Sequence, residues 1–369
     1  MNRTTGRLLA VMSTALCAAT LAACGSSGNG AAPSSSSGKA TPSDLTMDKL
    51  YQAAKSAGEN KVVVYGIDPS TCYDQFSAKF PGIKVESVYM VGTLQAKLEQ
   101  EHVSGEQVAD VVRTGDTTLL GLAKDGILEQ FIPSSAATGI PSEYIDPQGE
   151  YIRVTQRATG LIYNNTKLSA ADVPKKWSDL ADPKYKGHVA LPNPTGPGAG
   201  LSTMEELLIH GAPTDKAWLQ KFAANDPALM KDVPSTEQAV DSGEYWIGFG
   251  GEDQVSGIAA QKADPSITFA FPMADSTPVT GHYIGLLQGA PHPNAAKLLE
   301  TYLLSKEGQT CLVNQGNEYG VRSDGIPNPK GMPAIQSLHG ASVFRPVNQK
   351  ELDLQLQYEG EFKQAFKTQ

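Results

Sequence analysis

The sequence predicts an α/β protein of two lobes, each a mixed, mainly parallel sheet flanked by helices. Three observations lead there. From Lys61 onward, short β-branched runs alternate with amphipathic helical stretches, the pattern of βαβ units on a parallel sheet. Near Arg153 the alternation starts afresh, which indicates a second sheet. Beyond its leader the chain runs to roughly 320 residues, more than the about 250–300 at which single cores stop growing.

In chain order, the leader comes first. Arg3 and Arg7 precede an apolar run over 8–23, shorter than the about 20 apolar residues of a spanning helix. It closes on Leu21-Ala22-Ala23-Cys24-Gly25, which resembles a bacterial lipobox. That resemblance implies a signal peptide over 1–23, cleavage before Cys24 and acylation of its sulfur, so that the chain is held on the outer face of the cell membrane. The alternative is an ordinary cleavage site with an incidental cysteine. Residues 24–45 are rich in Ser, Gly and Pro and have too little apolar surface to offset the entropy of ordering them, so they read as a tether.

A helix over 46–57 is followed by strand 61–65, helix 69–80, strand 83–90 and helix 93–102, in which Leu94 and Leu98 lie one turn apart. Strand 109–113 and helix 119–124 continue the series. The second half brings strands over 153–163, 189–191, 245–249, 267–271 and 282–287. Between and after them the spacing predicts helices over 200–210, 214–224, 235–241, 252–262, 294–304, 307–315 and 351–366. No short repeat is present, which excludes a solenoid.

Composition and motifs narrow the function classes. The formal net charge is -9, and losing Arg3 and Arg7 with the leader makes the chain two units more acidic, which disfavours nucleic acid or an anionic surface as partner. Of four cysteines, Cys17 leaves with the leader and Cys24 carries lipid. Cys72 and Cys311 remain in an oxidising compartment, either bonded to each other or as two buried thiols. There is no Gly-x-Ser-x-Gly elbow, no His-Glu-x-x-His, no Cys-x-x-Cys and no phosphate-binding Gly-x-x-x-x-Gly-Lys-Ser/Thr, and the six histidines are scattered. Gly196-Pro197-Gly198-Ala199-Gly200 departs from a dinucleotide loop because Leu201 stands where glycine is needed. An enzyme is therefore not expected, nor a cofactor or resident metal.

Seven segments together carry a family resemblance: Lys61-Val62-Val63-Val64-Tyr65, Phe80-Pro81-Gly82-Ile83-Lys84-Val85, Ala109-Asp110-Val111-Val112-Arg113, Gly160-Leu161-Ile162-Tyr163-Asn164, the stretch from Trp177 to Gly187, the stretch from Ala239 to Tyr245, and Leu304-Ser305-Lys306-Glu307-Gly308-Gln309. In order and spacing they resemble the type 2 periplasmic binding proteins, in the branch that includes ferric-iron, thiamine, polyamine and aminoethylphosphonate binders. The resemblance implies lobe 1 from 46–156 plus 281–369, lobe 2 from 157–280, two hinge crossings, and handover of a small solute to an ABC permease in the same membrane by a monomeric binding protein.

It also implies a site. Its cleft loops fall on Tyr65, Asp68 and Ser70; Gly92 and Thr93; Thr114, Gly115 and Asp116; Thr195 and Gly196; Ser235 and Thr236; and Glu252 and Asp253. Several precede helices, whose unpaired N–H groups and positive dipole ends hold phosphonate or carboxylate oxygens. Singly, Thr93, Thr114, Thr195 and Ser235 read equally well as helix caps. Asp68, Asp116, Glu252 and Asp253 add carboxylates suited to an amine. Tyr65, ending its strand, suits a stacking role at the cleft mouth, whereas Trp246 inside its strand reads as core. The expected cargo is a small polar or charged organic solute such as an aminoalkylphosphonate, a polyamine or a thiamine-like cation. Ferric iron is the alternative, although the loop 248–253 lacks the adjacent tyrosines of ferric binders, and neither Tyr245 nor Tyr283 forms such a pair. A surface interaction protein that keeps the fold without transport is the alternative of another class.

Overall fold

Val62 and Val64 turn to one side of their strand while Val63 and Tyr65 turn to the other, and all four are buried, so this strand is sandwiched between two helical layers. It is β1 (Lys61–Gly66), and it pairs in parallel with β2 (Lys84–Tyr89) and β3 (Val111–Gly115). Helices α1 (Met47–Ser56) and α2 (Cys72–Lys79) line one face with α10 (Pro293–Leu303) and α11 (Lys306–Gly316), around Phe76, Phe80 and Tyr302. Helices α3 (Leu94–Ser104) and α4 (Asp116–Lys124) cover the other. Short elements β4 (Leu128–Glu129) and α5 (Ser134–Gly139) follow; each is too short to leave a periodic signal in the sequence.

The computed structural model describes residues 40–67, 72–90, 92–196, 198–210, 214–272, 274, 277–338 and 349–367. The leader, Cys17, Cys24 and most of the tether lie outside them, as do Asp68 and Ser70. Gly38–Gln369 forms one compact unit. Among the described residues no helix is long and apolar enough to cross a membrane.

The second lobe repeats the scheme. Strands β6 (Val189–Pro192), β7 (Ala228–Met230) and β8 (Ile247–Asp253) pair in parallel. Trp177, Trp218, Phe222 and Phe249 fill the core beneath α6 (Ala199–His210) and α7 (Lys216–Ala224). The opposite face carries α8 (Val233–Asp241) and α9 (Gln254–Ala263), packed on Ile162, Val240 and Ile267. Strand β9 (Ile267–Ala270) closes the set.

Two long strands join the lobes. β5 (Ile152–Asn164) pairs through Ala158 with β10 (Val279–Leu287) in lobe 1, and from Thr159 onward with β8 and β9 in lobe 2. The two expected sheets are thus one hydrogen-bonded path, β2-β1-β3-β10-β5-β8-β6-β7, sharing a strand. Ala158, Val279, Tyr319 and Leu338 form a small separate cluster at the changeover.

The carboxyl end departs from the expected division. The sequence places residues 281–369 in lobe 1, yet helix α12 (Gln349–Ala365) carries Phe362, fully buried, into the lobe 2 core with Phe222 and Trp218. α12 therefore belongs to lobe 2. An amphipathic helix shows which face it buries, and its sequence does not say against which lobe.

Candidate functional site

In lobe 1 the predicted loops follow the carboxyl ends of the parallel strands β1, β2 and β3. β1 ends at Gly66, whose neighbour Ile67 donates to the Arg113 carbonyl at 3.1 Å, while Met90 donates to Gly66 at 2.9 Å. A β-carbon at Gly66 would stand 1.7 Å from the Arg113 oxygen, so only glycine permits this approach. Thr114 and Gly115 end β3 beside Tyr283 and His282 of β10. Of the expected residues Thr114 and Gly115 thus lie beside hinge strand β10, while Gly92 and Thr93 follow β2 at the far side of the sheet. The α3 and α4 amino termini are headed by Thr93 and Gly115, and neither N-cap residue makes a side-chain cap bond. The side chains of Asp116 and Glu252 are not described.

Tyr65 is placed differently from its expected role at the cleft mouth. It is 6 % exposed, packs with Leu94, Leu98 and Val112, and donates its hydroxyl to Glu101 at 3.2 Å. Burial and the Glu101 charge raise its phenol above the ordinary value. Tyr65, one residue before the end of a sandwiched strand, keeps the strand's alternation, and that turns this ring into the α3 layer.

In lobe 2 the loops converge as well, but their polar groups are partly used. Thr195 donates through backbone and hydroxyl to Asn193 Oδ1 at 3.0 and 2.8 Å, an Asx turn. A β-carbon at Gly200 would lie 2.0 Å from the Pro192 carbonyl, so the start of α6 is pressed onto the end of β6. Asp232 caps α8, accepting from the Ser235 backbone at 2.9 Å and hydroxyl at 2.5 Å, and the buried Thr236 hydroxyl donates to the Asp232 carbonyl at 3.1 Å. Asp253 caps α9 through Val255 and Ser256. The α8 and α9 amino termini are thus occupied by the protein's own carboxylates.

Where the lobes join, the structure assembles charges that the sequence did not single out. Arg113 Nη2 donates to both Glu318 oxygens at 2.7 and 3.0 Å and to Thr155 Oγ1 at 3.3 Å. Arg157 bridges Glu318 at 2.9 Å and Asp253 at 3.2 Å. Burial alone would raise the Glu318 carboxyl, but the Arg113 and Arg157 guanidiniums outweigh it and hold it at about 2. His282, flanked by the same groups, is lowered well below its ordinary value, first by burial and then by the Arg157 charge. Arg153 is buried nearby against the Tyr144 ring. A trace of this floor was present in the sequence: Arg153 and Arg157 interrupt a strand that otherwise reads as buried, and buried charges need partners. Glu318 and His282 left no such trace.

Cys72 at the start of α2 and Cys311 in α11 are joined by a disulfide with Cα atoms 5.9 Å apart. Among the described residues no group of three or more His, Cys, Asp and Glu side chains is set to hold a metal ion. A cavity of about 730 Å³ between α7 and α12 is lined by Lys216, Gln220 and Glu361 and includes none of the predicted site residues.

Two cored lobes on shared hinge strands, with loop-bearing sheet edges bordering a buried polar floor, define a hinged binding protein for small solutes. Residues 71–330 match the family of bacterial extracellular solute-binding proteins, and the chain belongs to it. It is an exported solute-binding protein of ABC transport, from a family of binding proteins and not enzymes. Among curated relatives it is 29 % identical over 310 residues to a putative 2-aminoethylphosphonate-binding periplasmic protein of Salmonella paratyphi A, covering 80 % of this chain and 89 % of the relative. It is 28 % identical to iron uptake protein A2 of Synechocystis, covering 71 % and 79 %. Of solved structures, iron-bound HitA from Pseudomonas aeruginosa aligns with a TM-score of 0.68 at 22 % identity, covering 83 % of this chain and 99 % of that one. The substrate binding protein of an ABC transporter from Agrobacterium tumefaciens aligns at 0.71 and 17 %, covering 83 % and 94 %. At these identities the two structures show the shared fold.

Proposed function

We propose that this chain is a monomeric lipoprotein, anchored through Cys24, that captures a small polar organic solute by hinge closure and delivers it to an ABC permease, with aminoalkylphosphonates as the first candidates ahead of polyamines and thiamine-like cations. The observation that carries this reading is the buried floor where the lobes join. Among its described side chains the guanidiniums of Arg113, Arg153 and Arg157 and the carboxylates of Glu318 and Asp253 stand together, buried charges of both signs suited to a small solute with a charged head group. The α3 and α4 amino termini, whose N-cap residues make no side-chain cap bond, add backbone donors suited to an anionic group. The 2-aminoethylphosphonate-binding relative supports the same class. Ferric iron is the second reading, favoured by the iron-uptake relative. Against it stand the tyrosine-free loop 248–253 and Tyr283, which is 1 % exposed and packed edge-on against Tyr151.

A thermal-shift screen of the purified chain against 2-aminoethylphosphonate, spermidine, thiamine, phosphate and ferric citrate tests this. A ligand at about 100 times its dissociation constant stabilises by about 2.7 kcal/mol. A shift with the phosphonate is expected. A shift with ferric citrate alone would replace the organic solute by iron, and no shift across the set would favour a surface interaction role. Replacing Cys24→Ser is expected to release the protein from the membrane fraction, and light scattering is expected to give the mass of one chain.

A further inference from the structure

A polar chain ties the start of α9 to lobe 1. Asp253, the last residue of β8, uses Oδ1 to cap α9 and Oδ2 to accept from Arg157. Arg157 lies in the half of β5 that pairs with β10, one residue before Ala158, where the strand changes partners. Its other arm reaches Glu318, which Arg113 of β3 holds with two hydrogen bonds. Gln254, fully buried as the first residue of α9, makes a parallel link: its carbonyl accepts from the Ala158 N–H at 2.7 Å, and its amide donates to the Asn317 and Gln156 carbonyls at 3.3 and 3.4 Å. Asn317 in turn caps α11 in the left-handed region, with φ 53°, and Tyr319 pairs with Gln156 in both directions. The segment 317–319 therefore meets lobe 2 at the point where β5 turns from one lobe to the other.

The geometry points to Asp253–Arg157–Glu318–Arg113, with Gln254 beside it, as a polar clasp that sets the resting angle between the lobes. In this role Asp253 is a positioning residue whose carboxylate belongs to the hinge. The charges are 14 % exposed or less, so surrounding salt screens them little. Rotation about Ala158 that separates α9 from segment 317–319 must break Arg157–Asp253 and both Gln254–carbonyl links together. A ligand's apparent affinity falls with the fraction of molecules in the competent arrangement, so a residue that fixes the angle controls affinity without touching solute.

The test is small-angle X-ray scattering on the ligand-free, full-length chain, which depends on lobe geometry and not on which solute is bound; a failed solute screen would leave it unaffected. Asp253→Asn keeps an oxygen to cap α9 while weakening the hold on Arg157, and Arg157→Gln removes the bridge. Both are expected to enlarge the radius of gyration, and the double variant to enlarge it no further than either single one. Lys61→Ala, which breaks an exposed ion pair with Glu86 at 3.0 Å, is the control and is expected to leave it unchanged. An unchanged radius in Asp253→Asn would overturn the clasp even if the melting temperature fell, since a purely structural role lowers stability without opening the lobes. Should Arg157→Gln fail to fold, the Asp253→Asn result decides alone.

Discussion

Tyr65 separates packing from binding at the level of one side chain. Its hydroxyl bond to Glu101 is local to lobe 1, so Tyr65→Phe is expected to cost about 1 kcal/mol in urea unfolding and to leave solute affinity unchanged. Glu318 has a larger consequence. Its folded-state carboxyl sits at about 2 against about 4.3 in the unfolded chain, so it binds a proton less readily when folded. The resulting stabilisation is present above the unfolded value and is lost as pH falls through the folded one. It amounts to about 3 kcal/mol at neutral pH, lost between about pH 4.3 and 2. Glu318→Gln is expected to unfold more easily at pH 7 and to show a flatter acid limb in that window. His282 acts earlier: with its folded value depressed, the unfolded chain takes up the proton first as pH drops below about 6.5. A decline in stability starting near there, relieved in His282→Gln, is expected from thermal melts at stepped pH.

At the level of elements, the disulfide joins α2, which follows the undescribed loop 68–71, to α11, which leads into Glu318. It spans 239 residues of sequence, so its removal releases a long loop in the unfolded chain. Cys72→Ser with Cys311→Ser is expected to cost about 2–5 kcal/mol, read as a lowered urea midpoint. In lobe 2 the approach of α6 to β6 depends on Gly200. Gly200→Ala forces a methyl against the Pro192 carbonyl and is expected to cost about 2 kcal/mol or more and to move the 195–199 turn. Weaker binding of 2-aminoethylphosphonate, with the lobe 1 disulfide intact, is the expected signature.

For the whole molecule the decisive feature is the return of the carboxyl end to lobe 2. α12 contributes Phe362 and Tyr358, and Phe366 just beyond it packs on the same core, whose other buried residues run from 161 to 249, so lobe 2 is covered by this part of the chain. Phe362→Ala is expected to cost about 3 kcal/mol. Hydrogen exchange is expected to rise in α6 and α7, which α12 contacts, and not in β1 to β3. At the changeover of β5 between the lobes, Tyr319 and Leu338 pack with Ala158 and Val279, so the segment 319–338 flanks the hinge.

The sequence alone determined the order of the longer helices and strands, the two lobes and the family, because alternation at periods 2 and 3.6 is local and the matching segments keep their order; β4, α5 and β7 are too short to leave such a signal. Of the loops it led us to expect, 92–93 and 114–116 lie at strand or helix ends, whereas 234–236 fall in the first turn of α8 and 250–253 within β8. Only the tertiary structure decided which of their groups remain available, since Asp232 and Asp253 consume two of the helix amino termini and Tyr65 points into α3. It also decided the hinge floor. Arg113, Arg157, Asp253 and Glu318 come from four separate stretches, and no local spacing links residues 205 positions apart. Their partnership is enforced by burial, which makes an unpaired charge costly wherever the chain brings it, and so appears only once the strands are laid side by side.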